Sequence, residues 1–334
     1  MQMKSELFVS NINLASFSTY DIGGDARWLA APKTAEEVLT ALEQASASGL
    51  LPFLFGMGSN LLFPDQPSKE MLFISLREQV DFHIKGERLY VSAGTPMSLL
   101  ALLGLHAGIP DFEFTFLLPG TLGGGIYMNA KYFDRQICDV LDTVYYIDLT
   151  AIGRGIQAIA GQDCEFAYKK SIFQRHPWVI VGADLMTSRP VAPATIAACR
   201  KQLAAPSLSI SSLAEFSAYF IRQFAQKPNP SATASAALKG IIADRTGKHH
   251  FSFPSCGSVF KNNYTIGQPI GKLVESLGLK GTERGKAIIS PTHGNVIQNR
   301  GGAKAQDVLD LIKLVQEEIY KHYDFVPEPE VVIV

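Results

Sequence analysis

Two glycine-rich loops, Gly56-Met-Gly-Ser-Asn60 and Pro119-Gly-Thr-Leu-Gly-Gly-Gly125, constrain this chain more than any other feature. Glycine has no Cβ, so main-chain amides can approach an anion closely and the backbone can turn where other residues clash. Ser59, Asn60 and Thr121 add hydroxyl and amide donors, so the two loops together suit the clamping of one dinucleotide pyrophosphate. Each loop alone is more often a tight turn. The chain lacks G-x-G-x-x-G after a strand and G-x-x-x-x-G-K-[ST], which disfavours a Rossmann site and a P-loop. It also lacks H-E-x-x-H, G-x-S-x-G and paired C-x-x-C motifs, the commonest hydrolase and metal signatures.

The first loop closes a strand–helix–strand pattern. Thr34-Ala-Glu-Glu37 has capping-box spacing, and Val38, Leu39, Ala41, Leu42 and Ala45 follow on one helical face before Gly49. Short apolar runs at Trp28 to Ala31 and Pro52 to Phe55 flank that helix. From Met71 to about Ala183 the spacing predicts short strands, including Leu89 to Ala93, Val144 to Leu149 and Trp178 to Val181, with one helix at Met97 to His106. Ala, Ser and Pro then dominate Ser188 to Lys248, where two helical patterns lie near Ala194 to Leu203 and Leu213 to Ala225; a linker would be less apolar. The last third carries a Gly/Ser-rich loop at Pro254 to Asn263, a short helix at Ile270 to Leu277 and an amphipathic helix at Ala305 to Tyr323. The expected class is α+β, in units spanning 1–68, 69–187, a helical insertion and lid candidate at 188–247, and 248–334.

At 334 residues and 47 % hydrophobic content the chain can fill more than one core. With a net charge of −1 it has no global field to attract nucleic acid or an anionic membrane. Four widely spaced cysteines and the absence of a signal-peptide pattern suit a reducing cytoplasm. The most apolar stretch, Ser98 to Pro110, is too short to span a bilayer. No metal site is expected.

Read in order, six blocks resemble the UDP-N-acetylenolpyruvylglucosamine reductase family, also called UDP-N-acetylmuramate dehydrogenases. They are Ser18-Thr-Tyr-Asp-Ile-Gly-Gly-Asp-Ala26, Gly56-Met-Gly-Ser-Asn-Leu-Leu62, Pro119-Gly-Thr-Leu-Gly-Gly-Gly-Ile-Tyr-Met-Asn-Ala130, Cys164-Glu-Phe-Ala-Tyr-Lys-Lys-Ser-Ile-Phe173, Pro254-Ser-Cys-Gly-Ser-Val-Phe-Lys-Asn262 and Pro327-Glu-Pro-Glu-Val331. The resemblance implies an FAD-binding fold of the vanillyl-alcohol-oxidase (PCMH) type with an additional α+β substrate domain. It further implies a cytoplasmic enzyme that uses NADPH and bound FAD to reduce UDP-N-acetylglucosamine-enolpyruvate in peptidoglycan precursor synthesis. On the flavin side it implies Gly56, Met57, Gly58, Ser59, Asn60, Pro119, Gly120, Thr121, Gly123, Gly124 and Asn129.

Adding hydride to an unsaturated carboxylate builds up charge on the carboxyl group, which must be stabilised before C2 is protonated. The resemblance gives Ser258 the role of proton donor and Glu330 that of a hydrogen-bonding acid. Lys169 stands where the family has an arginine, keeping the charge but not the planar two-point grip. Tyr132, Lys248, Asn262 and His293 fall at substrate-contact positions, with Asn299 close by. Met57 replaces a glycine and Pro327 a leucine of the family pattern. Two other readings stay open: a different flavin oxidoreductase on the same fold, and a flavin or sugar-nucleotide binding module without catalysis, which Lys169 would suit.

Overall fold

A computed structural model of the chain describes residues 7–202, 212–226 and 232–334. The architecture is α+β, built on three sheets of three or more strands, with two short two-stranded pairs. The first has the strand order Phe8–Asn13, Asp25–Ala30, Met71–Ser75, Leu51–Phe55. Its first pair is antiparallel and the other two are parallel. Parallel strands need a crossover, and helix Ala35–Ala47 lies on one. Thr34 caps that helix by accepting from Glu37 N, while the Glu37 carboxylate accepts from Lys33 N at 2.6 Å. The buried residues Val38, Ala41, Leu42 and Ala45 hold it to the sheet. Met71–Ser75 lies between Asp25–Ala30 and Leu51–Phe55, so this sheet reaches past residue 68, where the sequence suggested a boundary.

The second sheet is antiparallel throughout, in the order Ile156–Ala160, Leu141–Asp148, Trp178–Leu185, Arg88–Ser92, Phe82–Lys85. Helix Met97–Ala107 is buried continuously from Met97 to Leu105, so its sequence carries no polar face. Three helices of the 188–247 segment complete its surroundings: Pro193–Gln202, Leu213–Ala225 and Ala232–Gly247. Leu203, at the end of the first predicted pattern, lies outside the described residues. Phe216, Phe220 and Phe224 recur every fourth residue on the second helix and join the core of the second sheet, Phe224 lying 6.0 Å from the Phe116 ring. Each such ring contributes about 1.5–3 kcal/mol of burial, so this helix is a core element.

The third sheet, Glu283–Arg284, Ala287–Ile289 and Ile297–Asn299, packs with helices Ile270–Ser276 and Ala305–Tyr323 around a separate core that also takes in Tyr20, Ile22 and Leu62. Asp324, at φ 55°, ends the long helix in the left-handed region. The chain then returns across the molecule, and Val332–Ile333 pairs in parallel with Leu61–Leu62, directly after the first glycine loop. Among the described residues no helix is long and apolar enough to cross a membrane.

Candidate active site

The two glycine loops touch. Ser59 Oγ donates to Pro119 O at 3.0 Å. A Cβ on Gly56 would lie 2.2 Å from Thr121 Oγ1, so only glycine allows the second loop so near. Arg77 donates to Met57 O at 3.1 Å and Ser16 O at 3.0 Å, fixing the first loop from behind. Burial lowers the Arg77 guanidinium to about 10, still protonated at neutral pH. Asn60 Nδ2 donates to Glu330 O at 2.9 Å and so joins this cradle to the returning C-terminal segment. A cavity of about 700 Å³ opens along the cradle, within the usual size range for ligand sites.

Ser258 and Glu330 reach that cavity from neighbouring antiparallel segments. Glu330 N donates to Val259 O at 2.7 Å, Lys261 N to Glu328 O at 2.9 Å, and Phe260 bridges Pro329. Among the described residues the Ser258 hydroxyl makes no hydrogen bond, which leaves its proton available to a ligand. Lys169 arrives from the second sheet's side: its Nζ stands 2.5 Å from Glu330 Oε1, with the two side chains only 20 % and 10 % exposed. Lys169 sits in the turn of the Ala167–Lys170 bridge at φ 56°, a region costly for a residue with a Cβ. The surroundings impose it. Gln174 Nε2 donates to both Lys169 O and Tyr127 O, Ser171 Oγ to Tyr127 O, and Asn129 Nδ2 to Ala167 O. Beside it, burial and a bond to Tyr264 push the Tyr168 phenol above its ordinary range.

A second polar cluster reaches the same cavity through Arg245, Lys248, His250 and His293. Tyr132 donates to Asp244 Oδ2 at 2.8 Å, and Lys248 Nζ lies 2.6 Å from Asp244 Oδ1. Burial alone would raise the Asp244 carboxyl, but Lys248 and Tyr132 outweigh it and hold it below the usual range. Arg245, 6 % exposed, stacks over the Tyr132 ring at 4.6 Å, and its Nε has no hydrogen-bond partner. His250 and His293 meet edge to face with ring centroids 6.0 Å apart. Burial, and then Arg245, hold His250 down to about 4; burial also lowers His293. Both imidazoles are therefore neutral at neutral pH, and the cluster's formal charges are two cations against one carboxylate. Lys248 is half exposed and Arg245 buried, so the cluster carries one positive charge in excess, which suits an anionic ligand.

The cavity brings together Gly56, Met57, Gly58, Ser59, Asn60, Pro119, Gly120, Thr121, Gly123, Gly124, Lys169, Lys248, Ser258, His293 and Glu330. Three other predicted residues stand behind its wall. Asn129 spends its amide on Ala167, Gln136 and Cys138. Tyr132 supports Asp244 and Arg245, and Asn262 Oδ1 accepts from Ile270 N at 3.0 Å to cap a helix. Asn299 is likewise occupied, donating to Tyr20 O and Asp21 O and accepting from Gly301 and Ala303. Arg245, Asp244 and His250 were not foreseen; the run Arg245-Thr-Gly-Lys-His-His250, after an alanine-rich stretch, was their only signal.

Comparison with known proteins covers nearly the whole chain. Residues 249–334 match the model of the UDP-N-acetylenolpyruvoylglucosamine reductase C-terminal domain. A UDP-N-acetylenolpyruvoylglucosamine reductase of Synechococcus sp. (strain JA-3-3Ab) is 32 % identical over 96 % of this chain and 89 % of its own length. A reductase of the same name from Treponema denticola is 31 % identical over 96 % and 91 %. The crystal structure of UDP-N-acetylenolpyruvylglucosamine reductase from Thermus caldophilus superposes with a TM-score of 0.65 at 26 % identity, covering 96 % of this chain and 97 % of that one. The chain belongs to the UDP-N-acetylenolpyruvoylglucosamine reductase family of oxidoreductases.

Proposed function

We propose that the protein reduces UDP-N-acetylglucosamine-enolpyruvate to UDP-N-acetylmuramate with NADPH and a bound FAD, a step of peptidoglycan precursor synthesis. The observation that carries this reading is the 2.5 Å contact between Lys169 Nζ and Glu330 Oε1 in the cavity that Ser258 enters, beside the double glycine cradle. The cradle fits a dinucleotide: a Cβ at Gly56 would break the contact between its two loops, and Ser59 and Thr121 sit at its lip. Gly56 to Asn60 and Pro119 to Gly124 would hold the FAD pyrophosphate. FAD held there would supply the two-electron chemistry, with NADPH as the hydride source and C3 of the enolpyruvyl group as the acceptor.

The chain's own residues deal with the charge and the proton. Lys169 puts an ammonium where negative charge grows on the substrate carboxyl group as C3 is reduced. Glu330 fixes that ammonium and reaches toward the same carboxyl group. Ser258 Oγ–H, held by no internal acceptor, gives its proton to C2, and solvent or a neighbouring donor restores it. Lys248 and Arg245 support placement of the diphosphate in the cationic cluster, which gives the 188–247 helices a substrate-side role. A non-catalytic binding module would have no use for a lysine forced to φ 56° against a glutamate.

The test is steady-state turnover. NADPH oxidation should depend on UDP-N-acetylglucosamine-enolpyruvate and yield one UDP-N-acetylmuramate per NADPH. Protein that carries FAD and binds this substrate yet oxidises no NADPH would refute the reading.

A further inference from the structure

Arg77 serves the first glycine loop from outside the cavity wall. It follows strand Met71–Ser75 in a short 3-10 turn, Leu76–Glu78, and its side chain reaches back under the loop. Nη1 donates to Ser16 O at 3.0 Å and Nη2 to Met57 O at 3.1 Å, while the guanidinium lies over the Phe17 ring at 5.0 Å. The third nitrogen, Nε, is sealed from solvent and has no hydrogen-bond partner. Glu78 acts on the guanidinium only through space, and among the described residues Arg77 forms no ion pair. A neutral amide could hold two carbonyls equally well. A partly buried cation without a counter-ion is a cost that loop geometry alone does not explain.

The peptide that Arg77 grips has a second end. Peptide units are planar and trans, so the Met57 carbonyl and the Gly58 N–H point in opposite directions. With the carbonyl turned back to Arg77, the N–H faces forward, toward the cavity that Gly58 lines. Gly58 sits at φ 64°, and a Cβ on it would strike Phe17 O, so only glycine lets this peptide lie so close to the Phe17 backbone. Among the described residues the Gly58 N–H has no acceptor. A cation, one peptide dipole and an open donor therefore stand in series.

We infer that Arg77 is a positioning residue for the cofactor's diphosphate: it turns and polarises the Met57–Gly58 peptide so that the Gly58 N–H meets the anion, and the diphosphate is the counter-ion that Arg77 lacks. The inference rests on the flavin reading above. A hydrogen bond at one end of a peptide strengthens the donor at the other, and oriented backbone N–H groups bind anions as fixed partial charges. Arg77 never touches the ligand. Its effect falls on cofactor affinity and not on the hydride or proton steps.

The experiment compares full-length wild-type protein with Arg77→Gln and Arg77→Lys, each stripped of flavin and titrated with FAD. Both replacements can donate to Met57 O, but only lysine keeps the charge. Arg77→Gln should weaken FAD roughly tenfold, the scale of one hydrogen bond to a charged group, and Arg77→Lys should recover most of the affinity. The flavin-free variants should unfold at similar denaturant concentrations, and both should turn over normally at saturating FAD. A purely structural role would instead lower affinity and the unfolding midpoint together in both variants. Equal FAD loss in the two, or none in either, would overturn the assignment. Should Arg77→Gln not fold, amide exchange in wild-type protein labelled with 15N-glycine decides: FAD should slow exchange at Gly58, and an unchanged rate there would overturn it. Wild-type protein that binds no FAD would remove the flavin reading and this inference with it, whereas tight FAD binding that ignores Arg77→Gln removes the role of Arg77 alone.

Discussion

Lys169 holds its ammonium against Glu330 from a turn position that lysine ordinarily avoids, and Gln174, Ser171 and Asn129 absorb the cost. If its role is electrostatic, Lys169→Ala should slow substrate reduction by roughly 10²- to 10³-fold while leaving flavin reduction by NADPH intact. Lys169→Arg should keep turnover within a few-fold; a loss of turnover with substrate binding unchanged would show that lysine does more than stand in for a guanidinium. His250 makes a prediction about stability. Its imidazole titrates near about 4 in the folded protein and near about 6.5 when unfolded, so the unfolded chain binds the proton first as pH falls. The contribution of His250 is complete above about 6.5 and is lost as pH drops toward 4. His250→Asn should therefore flatten the acid side of the stability curve, measured as denaturant midpoints at neutral and acidic pH; an unchanged slope would contradict the buried neutral imidazole.

Helices with a polar and an apolar face were legible from spacing alone: Ala35–Ala47, Leu213–Ala225 and Ala305–Tyr323 lie where their stripes predicted. Ala232–Gly247 was not, because Ala, Ser, Thr and Gly give no contrast between faces. Its loss from view hid Arg245, which it carries to the cavity, and Asp244 beside it. Phe8–Asn13 was equally silent, since its pairing with Asp25–Ala30 is a tertiary event. The glycine loops were visible as composition, but their mutual contact was not. At this scale Gly56→Ala should drive the loops apart and abolish tight flavin binding, while Gly153→Ala, with open space around its Cβ, should leave it unchanged; flavin retention on gel filtration reads both. Asp65 caps the long C-terminal helix from 240 residues away, accepting from Ala305 N at 2.9 Å. Asp65→Ala should cost about 1 kcal/mol by denaturant unfolding, and Asp65→Asn, which keeps an acceptor, should recover most of it.

At the scale of the whole molecule, the site exists only because distant segments meet. The resemblance named Ser258 and Glu330, but their adjacency depends on a pairing across some seventy residues that no periodicity encodes. Asn60 and the strand Val332–Ile333 then fasten that pair to the first glycine loop, and the turn at Lys169 closes the arrangement from the second sheet. The central claim is that this assembly passes reducing equivalents from a bound flavin to an enolpyruvyl group and a proton to the neighbouring carbon. It is tested most directly by bleaching the flavin anaerobically with NADPH, removing excess nucleotide, and adding UDP-N-acetylglucosamine-enolpyruvate in D2O. The account predicts return of the oxidised flavin spectrum, one UDP-N-acetylmuramate per flavin, and deuterium at C2. A flavin that stays bleached in the presence of bound substrate would contradict it.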